Sequence, residues 1–201
     1  ETFLKFMDEL GNFAVSLNNK NITKDDFLKT NYKDTLVSEY FNNMIAKIGE
    51  NIVLNDLTVV DTEKSNFSFY VHNSYSKNIG KIISLINYQV ENNDEKILEL
   101  AKNLCMHIAA MKPDSLDVGD LDQKIIENEK NIQKELIVSS GKPSNIIEKI
   151  LEGKMKKFYS EITLMNQNFV LDPEKTVKQV IDDFNIKYSF ELINFKLFTL
   201  N

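Results

Sequence analysis

The sequence is poor in the residues that build reactive or metal-binding sites. Of its 201 residues only one is a cysteine, Cys105, and only two are histidines, His72 and His107. A single cysteine excludes an internal disulfide and fits a reducing compartment. No apolar run approaches the roughly 20 residues that a membrane-spanning helix needs. These shortages disfavour the disulfide-rich, membrane-spanning and metal-dependent classes of protein.

Positive charge is also in deficit, with 24 Lys and Arg against 30 Asp and Glu and a formal net charge of -6. Because nucleic-acid phosphates would repel such a chain, a nucleic-acid partner is not expected. The apolar share of 42% is enough to bury a core, so we do not expect disorder. The chain starts at Glu1 rather than Met and shows no cationic, apolar leader, so we expect that an upstream segment was removed or left out.

Apolar spacing predicts an N-terminal half made of helices and a small sheet. Spacings of three and four predict helices over residues 3–17 and 35–48, the second ending at Gly49, where a left-handed cap is sterically free. Strand composition marks residues 51–60, 66–72 and 81–90, and their short links favour an antiparallel meander. A long helix over 93–112 ends before Pro113.

The C-terminal half is predicted to carry a helical hairpin. Helices over 121–139 and up to residue 160 are separated by a tight turn at 140–143, which forces them antiparallel. We expect the apolar residues of the first helix to face those of the second: Ile125, Ile132 and Leu136 against Ile147, Ile150, Leu151, Met155 and Phe158. Strands over 161–170 and 188–200 flank a helix over 173–184 that Asp172 is placed to cap.

These elements give an α+β fold with two core subdomains, each a small antiparallel sheet with helices. We place the N-terminal subdomain at residues 1–112 and the C-terminal one at 113–201. The second carries the helical, coiled-coil hairpin as an insertion at 121–160, a candidate dimerisation region.

No constellation of residues supports an enzyme. Cys105 and His107 are two apart in a helix and point about 200° away from each other, so they cannot form a nucleophile and base pair. Cys105 is better interpreted as a small buried core residue and His107 as a hydrogen-bonded helix histidine near the sheet. The histidine spacing does not fit a metal site, and Gly141-Lys142-Pro143 lacks the upstream glycine of a phosphate-binding loop. The pattern indicates a binding module.

Five short segments go beyond pattern, in a consistent order along the chain. They are AKIGENI at 46–52, YVH at 70–72 before GKI at 80–82, MHIAAMKP at 106–113, SGKP at 140–143 with the helix after it, and QNFV at 167–170 before Thr176-Val177. Together they resemble the elongation factor Ts family over essentially the whole chain.

The resemblance implies a fold and a function. Family members have a core of two α+β subdomains with a helical hairpin that dimerises in several of them. They bind elongation factor Tu, in its GDP-bound and nucleotide-free states, and open its GDP site without covalent chemistry. The resemblance therefore implies a guanine nucleotide exchange factor with no catalytic residues, no cofactor and no metal. It implies the bacterial cytoplasm, with the mitochondrial matrix or another organelle as the alternative.

Five residues match family contact positions. They are Ile48, Gly49, His72, Val170 and Leu171. Each has a structural alternative: Ile48 could be the last core residue of its helix, whereas Gly49 would let a partner backbone come close. His72 follows a strand among polar residues, which favours a surface role. Val170 and Leu171 form an apolar pair in a polar context, which is typical of a docking knob. We expect Val170 and Leu171 to anchor the partner, and Ile48, Gly49 and His72 to address its nucleotide domain.

The resemblance has one notable gap. A Thr-Asp-Phe-Val element, whose Asp and Phe wedge into the partner's nucleotide domain, would lie a few residues before Glu1, and so would an N-terminal helical module. A chain without the wedge would be an adaptor that binds or stabilises its partner without exchange, which is the main rival function. An enzyme that uses Cys105 or His72 is the second rival.

Overall fold

A computed structural model describes residues 1–60, 62–63, 65–92, 94–141 and 143–200. The fold is α+β, as predicted, with seven α-helices and small antiparallel sheets among these residues. The chain packs into two units: unit 1 comprises Glu1–Ser65 and Asn73–Gly80, and unit 2 comprises Asn66–His72 and Lys81–Asn201. The predicted subdomain boundary at residue 112 stays a prediction. No helix within the described ranges is long and apolar enough to cross a bilayer.

Unit 1 is built on three helices and a short β-hairpin. Helix α1 spans Thr2–Ser16, α2 spans Lys24–Leu28 and α3 spans Val37–Ile48, while strands β1 (Asn31–Tyr32) and β2 (Thr35–Leu36) pair antiparallel. The helix predictions at 3–17 and 35–48 are confirmed to within two residues, but α2 and the hairpin were not predicted. The buried face of the unit consists of Phe6, Leu10, Ala14, Ile22, Phe27, Val37, Phe41 and Met44.

The strand predicted at residues 51–60 is wrong. This segment has no regular secondary structure. Its apolar residues Ile52, Leu54, Leu57 and Val59 pack against the buried cluster of unit 1. The alternation of apolar and polar residues therefore reflects packing of an extended segment on helices rather than β pairing.

The structure contains a three-stranded sheet, in the order β3–β4–β7. Strand β3 spans Asn66–Ser76, β4 spans Ile79–Val90 and β7 spans Phe190–Thr199, which confirms the predictions at 66–72, 81–90 and 188–200. Strand β7 pairs antiparallel with β4, from Val90 opposite Phe190 to Ile82 opposite Thr199. The sheet's third strand thus comes from the C-terminal end of the chain and not from residues 51–60.

Helix α4 (Glu95–Met111) belongs to the largest buried cluster of unit 2. Asp94 caps its N-terminus by accepting a hydrogen bond from the Lys96 N–H at 2.8 Å. The predicted start at residue 93 lies outside the described residues. One face of α4 is buried together with residues of the sheet and of the C-terminal region: Ile97, Leu100, Ala101, Leu104, Cys105 and Ile108 join Ile86, Tyr88, Leu164, Phe169, Val177 and Phe190.

Helices α5 (Gln123–Ser139) and α6 (Ser144–Ile162) confirm the two predicted helices of the hairpin. The predicted facing residues of α5 are wrong, because Ile125, Ile132 and Leu136 are 48%, 51% and 57% exposed. The apolar cluster that the two helices share contains Ile126 and Ile137 from α5 and Ile147, Ile150, Leu151, Met155, Phe158 and Tyr159 from α6. The seam thus lies one residue further along α5, and the coiled-coil geometry stays a prediction.

The strand predicted at 161–170 is mostly wrong. Helix α6 continues to Ile162, a 3₁₀ turn covers Leu164–Asn166, and only Asn168–Phe169 form a strand, β5. The buried Thr163 forms an isolated parallel bridge with Ser115, and the Leu164 N–H donates to the Ser115 carbonyl at 2.9 Å. The apolar pattern of residues 161–170 therefore reflects packing next to the irregular segment around Ser115 and Leu116 and does not reflect a long strand.

The capping role predicted for Asp172 is also wrong. Residues Asp172–Thr176 form strand β6, which pairs antiparallel with β5, and helix α7 begins only at Val177 and ends at Phe184. Thr176 is the cap: its hydroxyl oxygen accepts from the Gln179 backbone N–H at 3.2 Å, and the side-chain Oε1 of Gln179 accepts from the Thr176 N–H at 2.8 Å. The chain reverses direction at Val170 and Leu171, so residues 172–176 pair with β5 before α7 begins.

Candidate partner-binding surfaces

The predicted contact residues Ile48 and Gly49 form the C-terminal end of α3. Ile48 is half-buried and packs against the cluster of unit 1. Gly49 is exposed and left-handed at φ +79°, and its N–H donates to the Ile45 carbonyl at 2.8 Å. A Cβ at residue 49 would meet no atom within 4 Å, so this surface is open. The backbone of Gly49 is therefore accessible to a partner.

The predicted contact residue His72 is exposed on β3 in unit 2. The Tyr70 hydroxyl lies 3.3 Å from His72 Nδ1, and the two rings are 6.0 Å apart. Both side chains lie on the same side of β3 because successive strand residues alternate between faces. Tyr70 also packs against the main buried cluster of unit 2, so its contact with His72 restrains the exposed imidazole.

The predicted contact residues Val170 and Leu171 are the two turn residues between β5 and β6. The flanking residues Phe169 and Asp172 are paired across the turn. Val170 is 36% exposed and Leu171 is 54% exposed. Neither residue adopts a positive φ, and neither is a usual turn residue such as Gly, Asn or Asp. Two apolar side chains at the tip of a turn gain little from folding alone, so they are candidates for contact with another molecule.

An apolar groove of about 430 Å³ in unit 2 brings two of these predicted residues together. Its wall contains His72 and Val170, which are far apart in the sequence. The remaining lining residues are Tyr70, Ile82, Met106, Ala109, Ala110 and Lys112. Most of this lining is apolar, with the Lys112 ammonium, the His72 imidazole and the Tyr70 hydroxyl as polar groups, which suits a protein surface rather than a charged small molecule. Ile48, Gly49 and Leu171 do not line the groove.

This grouping differs from the one predicted from the sequence. His72 was grouped with Ile48 and Gly49, but in the structure it lies on the groove that Val170 also lines, in unit 2. Ile48 and Gly49 belong to unit 1. The predicted residues thus fall into two surfaces: the helix end at Ile48–Gly49, and a second surface that combines the groove with the Val170–Leu171 turn.

Behind the turn lies a buried polar network that the sequence did not reveal. His107 and Gln167 are fully buried, and His107 Nε2 lies 3.0 Å from Gln167 Oε1. The Gln167 amide nitrogen donates to the Glu161 carbonyl at 2.8 Å, and His107 Nδ1 accepts from the Val170 N–H at 3.2 Å. The prediction that His107 is a hydrogen-bonded helix histidine is confirmed. Its contact with Val170 was missed because the two residues are distant in sequence.

The environment of His107 keeps its imidazole neutral. Burial lowers the pKa of His107, and the hydrogen bond with Gln167 partly opposes that effect by raising it. The ring of Phe169 packs 5.5 Å from the imidazole. One sequence signal could have indicated this pair. His107 lies on an otherwise apolar helix face, and Gln167 lies two residues before the aromatic Phe169.

Cys105 is the fully buried core residue that was predicted. Burial raises the pKa of its thiol to about 12, although a hydrogen bond with Ser68 opposes the shift. The thiol is therefore protonated at neutral pH and is a poor nucleophile. In the described ranges, no group of three His, Cys, Asp or Glu side chains could hold a metal ion.

Comparison with known proteins identifies the family of this chain. The sequence profile described as Elongation factor TS matches residues 1–201. Elongation factor Ts of Ehrlichia ruminantium (strain Gardel) is 35% identical over 204 residues, which cover 100% of this chain and 70% of that protein. Elongation factor Ts of Rickettsia felis (strain ATCC VR-1525 / URRWXCal2) is 38% identical over 184 residues, covering 90% of this chain and 58% of that relative. This chain belongs to the elongation factor Ts family.

Proposed function

We propose that this chain binds elongation factor Tu and promotes the release of its GDP during translation elongation. Family membership supports a role in translation elongation. The observation that carries the finer proposal is the apolar groove that joins His72 and Val170 beside the exposed Leu171. This is the kind of surface that a protein partner covers, and it includes His72 and Val170, two of the contact residues expected from the resemblance.

Nucleotide exchange of this kind needs binding surfaces and no reaction. The partner holds the diphosphate with a phosphate-binding loop, a helix N-terminus and a Mg²⁺ ion. A protein that binds best when these groups are displaced lowers the affinity for GDP, and by thermodynamic reciprocity GDP lowers the affinity for that protein. We therefore propose a non-catalytic exchange factor that uses no cofactor or metal of its own.

The two surfaces suggest a division of labour. We assign docking to the groove and the Val170–Leu171 turn, and displacement of the nucleotide site to Ile48 and Gly49. Ile48→Ala should then raise the residual affinity of the complex for GDP, whereas His72→Ala should weaken docking and leave the melting temperature nearly unchanged. Titrations of the partner with and without saturating GDP test this. Equal losses in both conditions for both variants would contradict the assignment.

GDP release is the direct test of exchange. Elongation factor Tu is loaded with fluorescent GDP and mixed with excess unlabelled GDP, with and without the chain. We expect the chain to accelerate loss of the label. Binding in a pull-down without acceleration would favour the rival function, an adaptor that only binds or stabilises its partner.

We also propose that the chain self-associates through α5. Ile125, Ile132 and Leu136 recur at spacings of seven and four, so they form one exposed apolar stripe outside the α5–α6 seam. A second copy could cover this stripe. Ile132→Glu should abolish a dimer seen by sedimentation, while the melting temperature measured at low protein concentration, where both chains are monomeric, should stay nearly unchanged. A monomeric unaltered chain at high concentration would overturn this proposal.

The proposed location is the bacterial cytoplasm, where translation takes place. The relatives from Ehrlichia ruminantium and Rickettsia felis are bacterial proteins. A mitochondrial matrix or another organelle is the alternative. Fractionation of the source cells, followed by detection of the chain with an antibody, distinguishes these compartments.

A further inference from the structure

The Val170–Leu171 turn lacks the residues that normally stabilise a two-residue hairpin turn. The β1–β2 turn of unit 1 shows the usual solution, since Lys33 and Asp34 adopt φ values of 49° and 65°. Val170 and Leu171 keep negative φ values and carry branched apolar side chains. Val170 and Leu171 are therefore not residues that favour such a turn, and a contact from outside the turn would add to its stability.

That contact is the imidazole of His107. The Val170 N–H donates to His107 Nδ1 at 3.2 Å, across 63 positions of sequence. The amide nitrogen of Gln167 already donates to a backbone carbonyl, that of Glu161, so its Oε1 must be the acceptor for His107. Nε2 of His107 must then carry the proton, which leaves Nδ1 as an acceptor for Val170. The network fixes one tautomer of the ring.

We propose that His107 is a positioning residue of the partner-binding surface: its neutral imidazole holds the Val170 N–H and so fixes the Val170–Leu171 turn at the groove. This inference rests on the proposed function for the identity of the partner. The structural part concerns the chain alone and can be tested without a partner.

The arrangement is sensitive to the state of the ring. A proton on Nδ1 would place two donors, the imidazole N–H and the Val170 N–H, against each other and remove the bond. Burial of the ring opposes that protonation. The groups that contact the ring are the Gln167 amide oxygen, the Val170 N–H and the Phe169 ring, while the ionisable side chains Lys112 and His72 line the adjacent groove.

Two substitutions separate positioning from simple packing. His107→Asn keeps a side-chain oxygen near the place of Nδ1, so it can still accept from Val170. His107→Gln extends an amide toward Gln167 but removes the acceptor near Val170. Both variants replace an aromatic ring by a smaller polar chain in the same buried site, so their general cost in packing is similar.

The partner-free test measures amide hydrogen exchange of Val170 and the ¹⁵N spectrum of the His107 imidazole. We expect Nε2 to be protonated and Nδ1 to be bare at neutral pH. We expect His107→Gln to speed exchange at Val170 by about tenfold relative to His107→Asn, as expected for one lost hydrogen bond. A protonated Nδ1 in the unaltered chain, or equal Val170 exchange in both variants, would overturn the proposal. The ¹⁵N result decides even if a variant does not fold.

The partner test measures affinity for elongation factor Tu. His107→Gln should bind about tenfold more weakly than His107→Asn at comparable melting temperatures. Equal affinities would show that His107 has only a structural role. If the unaltered chain does not bind elongation factor Tu at all, the proposed function fails, whereas the exchange and ¹⁵N results still decide whether His107 holds the turn.

Discussion

The two proposed contact surfaces are built in opposite ways. At the end of α3, the backbone of Gly49 depends on neighbours in the sequence, because its N–H donates to the Ile45 carbonyl, whereas the Ile48 side chain packs on the cluster of unit 1. The Val170–Leu171 turn depends on distant residues, since His107 holds its backbone and the adjacent groove contains Tyr70 and Met106. The backbone at Gly49 is held locally, and the backbone at Val170 is held by the tertiary fold. Substitution of His107 or Gln167 should therefore affect the turn and leave the Gly49 cap unchanged.

The largest expected effect comes from breaking the support of the turn at Gln167. Gln167→Leu keeps the volume but leaves the His107 Nε2–H and the Glu161 carbonyl without this partner. Each unpaired buried group costs about 1 to 3 kcal/mol, so we expect a loss of about 3 kcal/mol in the free energy of unfolding. Urea unfolding measures it.

Gln89→Leu is the matched control, because Gln89 is exposed on β4. It should change the free energy of unfolding by less than about 0.5 kcal/mol. Equal losses in the free energy of unfolding for the two variants would show that the hydrogen bonds of Gln167 do not stabilise the fold. Faster amide exchange at Val170 in Gln167→Leu, with normal exchange at Gly49, would establish the contrast between the two surfaces.

A smaller effect is expected at the local surface. Gly49→Ala creates no steric clash, so its cost is the left-handed backbone alone. We expect a loss of about 1 kcal/mol, measured by urea unfolding. Gly153→Ala is the control, since Gly153 lies inside α6 with open space around it and should gain up to about 1 kcal/mol. A neutral Gly49→Ala would show that the cap does not need glycine.

The smallest expected effect is the pH dependence that His107 gives to the free energy of unfolding. The pKa of His107 is lowered on folding, so the folded chain binds fewer protons than the unfolded chain below the ordinary histidine pKa of about 6.5. Its stabilising contribution is complete above that pH and is lost as the pH falls toward the lowered pKa. Between pH 6.5 and 6.0 the loss is at most about 0.7 kcal/mol.

The experiment uses His72→Ala as the background, because it removes the other imidazole of the chain. Urea unfolding from pH 8 to pH 5.5 should show a decline that is absent when His107→Gln is added. A decline that persists in the double variant would assign it to other groups and contradict a neutral buried His107.

Sequence reasoning succeeded where local rules determine the structure. The α3 end was predicted because an apolar periodicity stops at a glycine, and Gly49 is indeed left-handed. The central strands and α4 followed from composition and spacing in the same way. The family resemblance and the α+β class are confirmed by the profile match and by the observed elements.

It failed where a choice depends on distant contacts. In α5 the set Ile125, Ile132, Leu136 has the same seven and four spacing as 126, 133 and 137, so periodicity could not select the seam. The actual seam includes Ile126 and Ile137, with the half-buried Gln133 between them donating to Glu129 at 2.7 Å. Likewise, nothing local joins Val170 to His107. The contact residues were found by resemblance, whereas their support required the structure.

The most direct test of the account compares Leu171→Ala with Leu98→Ala in binding to elongation factor Tu. The two leucines are similarly exposed, at 54% and 56%, but Leu98 lies on α4, away in sequence from the Val170–Leu171 turn. Burial of a leucine side chain contributes roughly 1.5 to 3 kcal/mol, so Leu171→Ala should weaken binding about tenfold or more. Leu98→Ala should bind like the unaltered chain. Equal affinities for the two variants would contradict docking through the Val170–Leu171 turn.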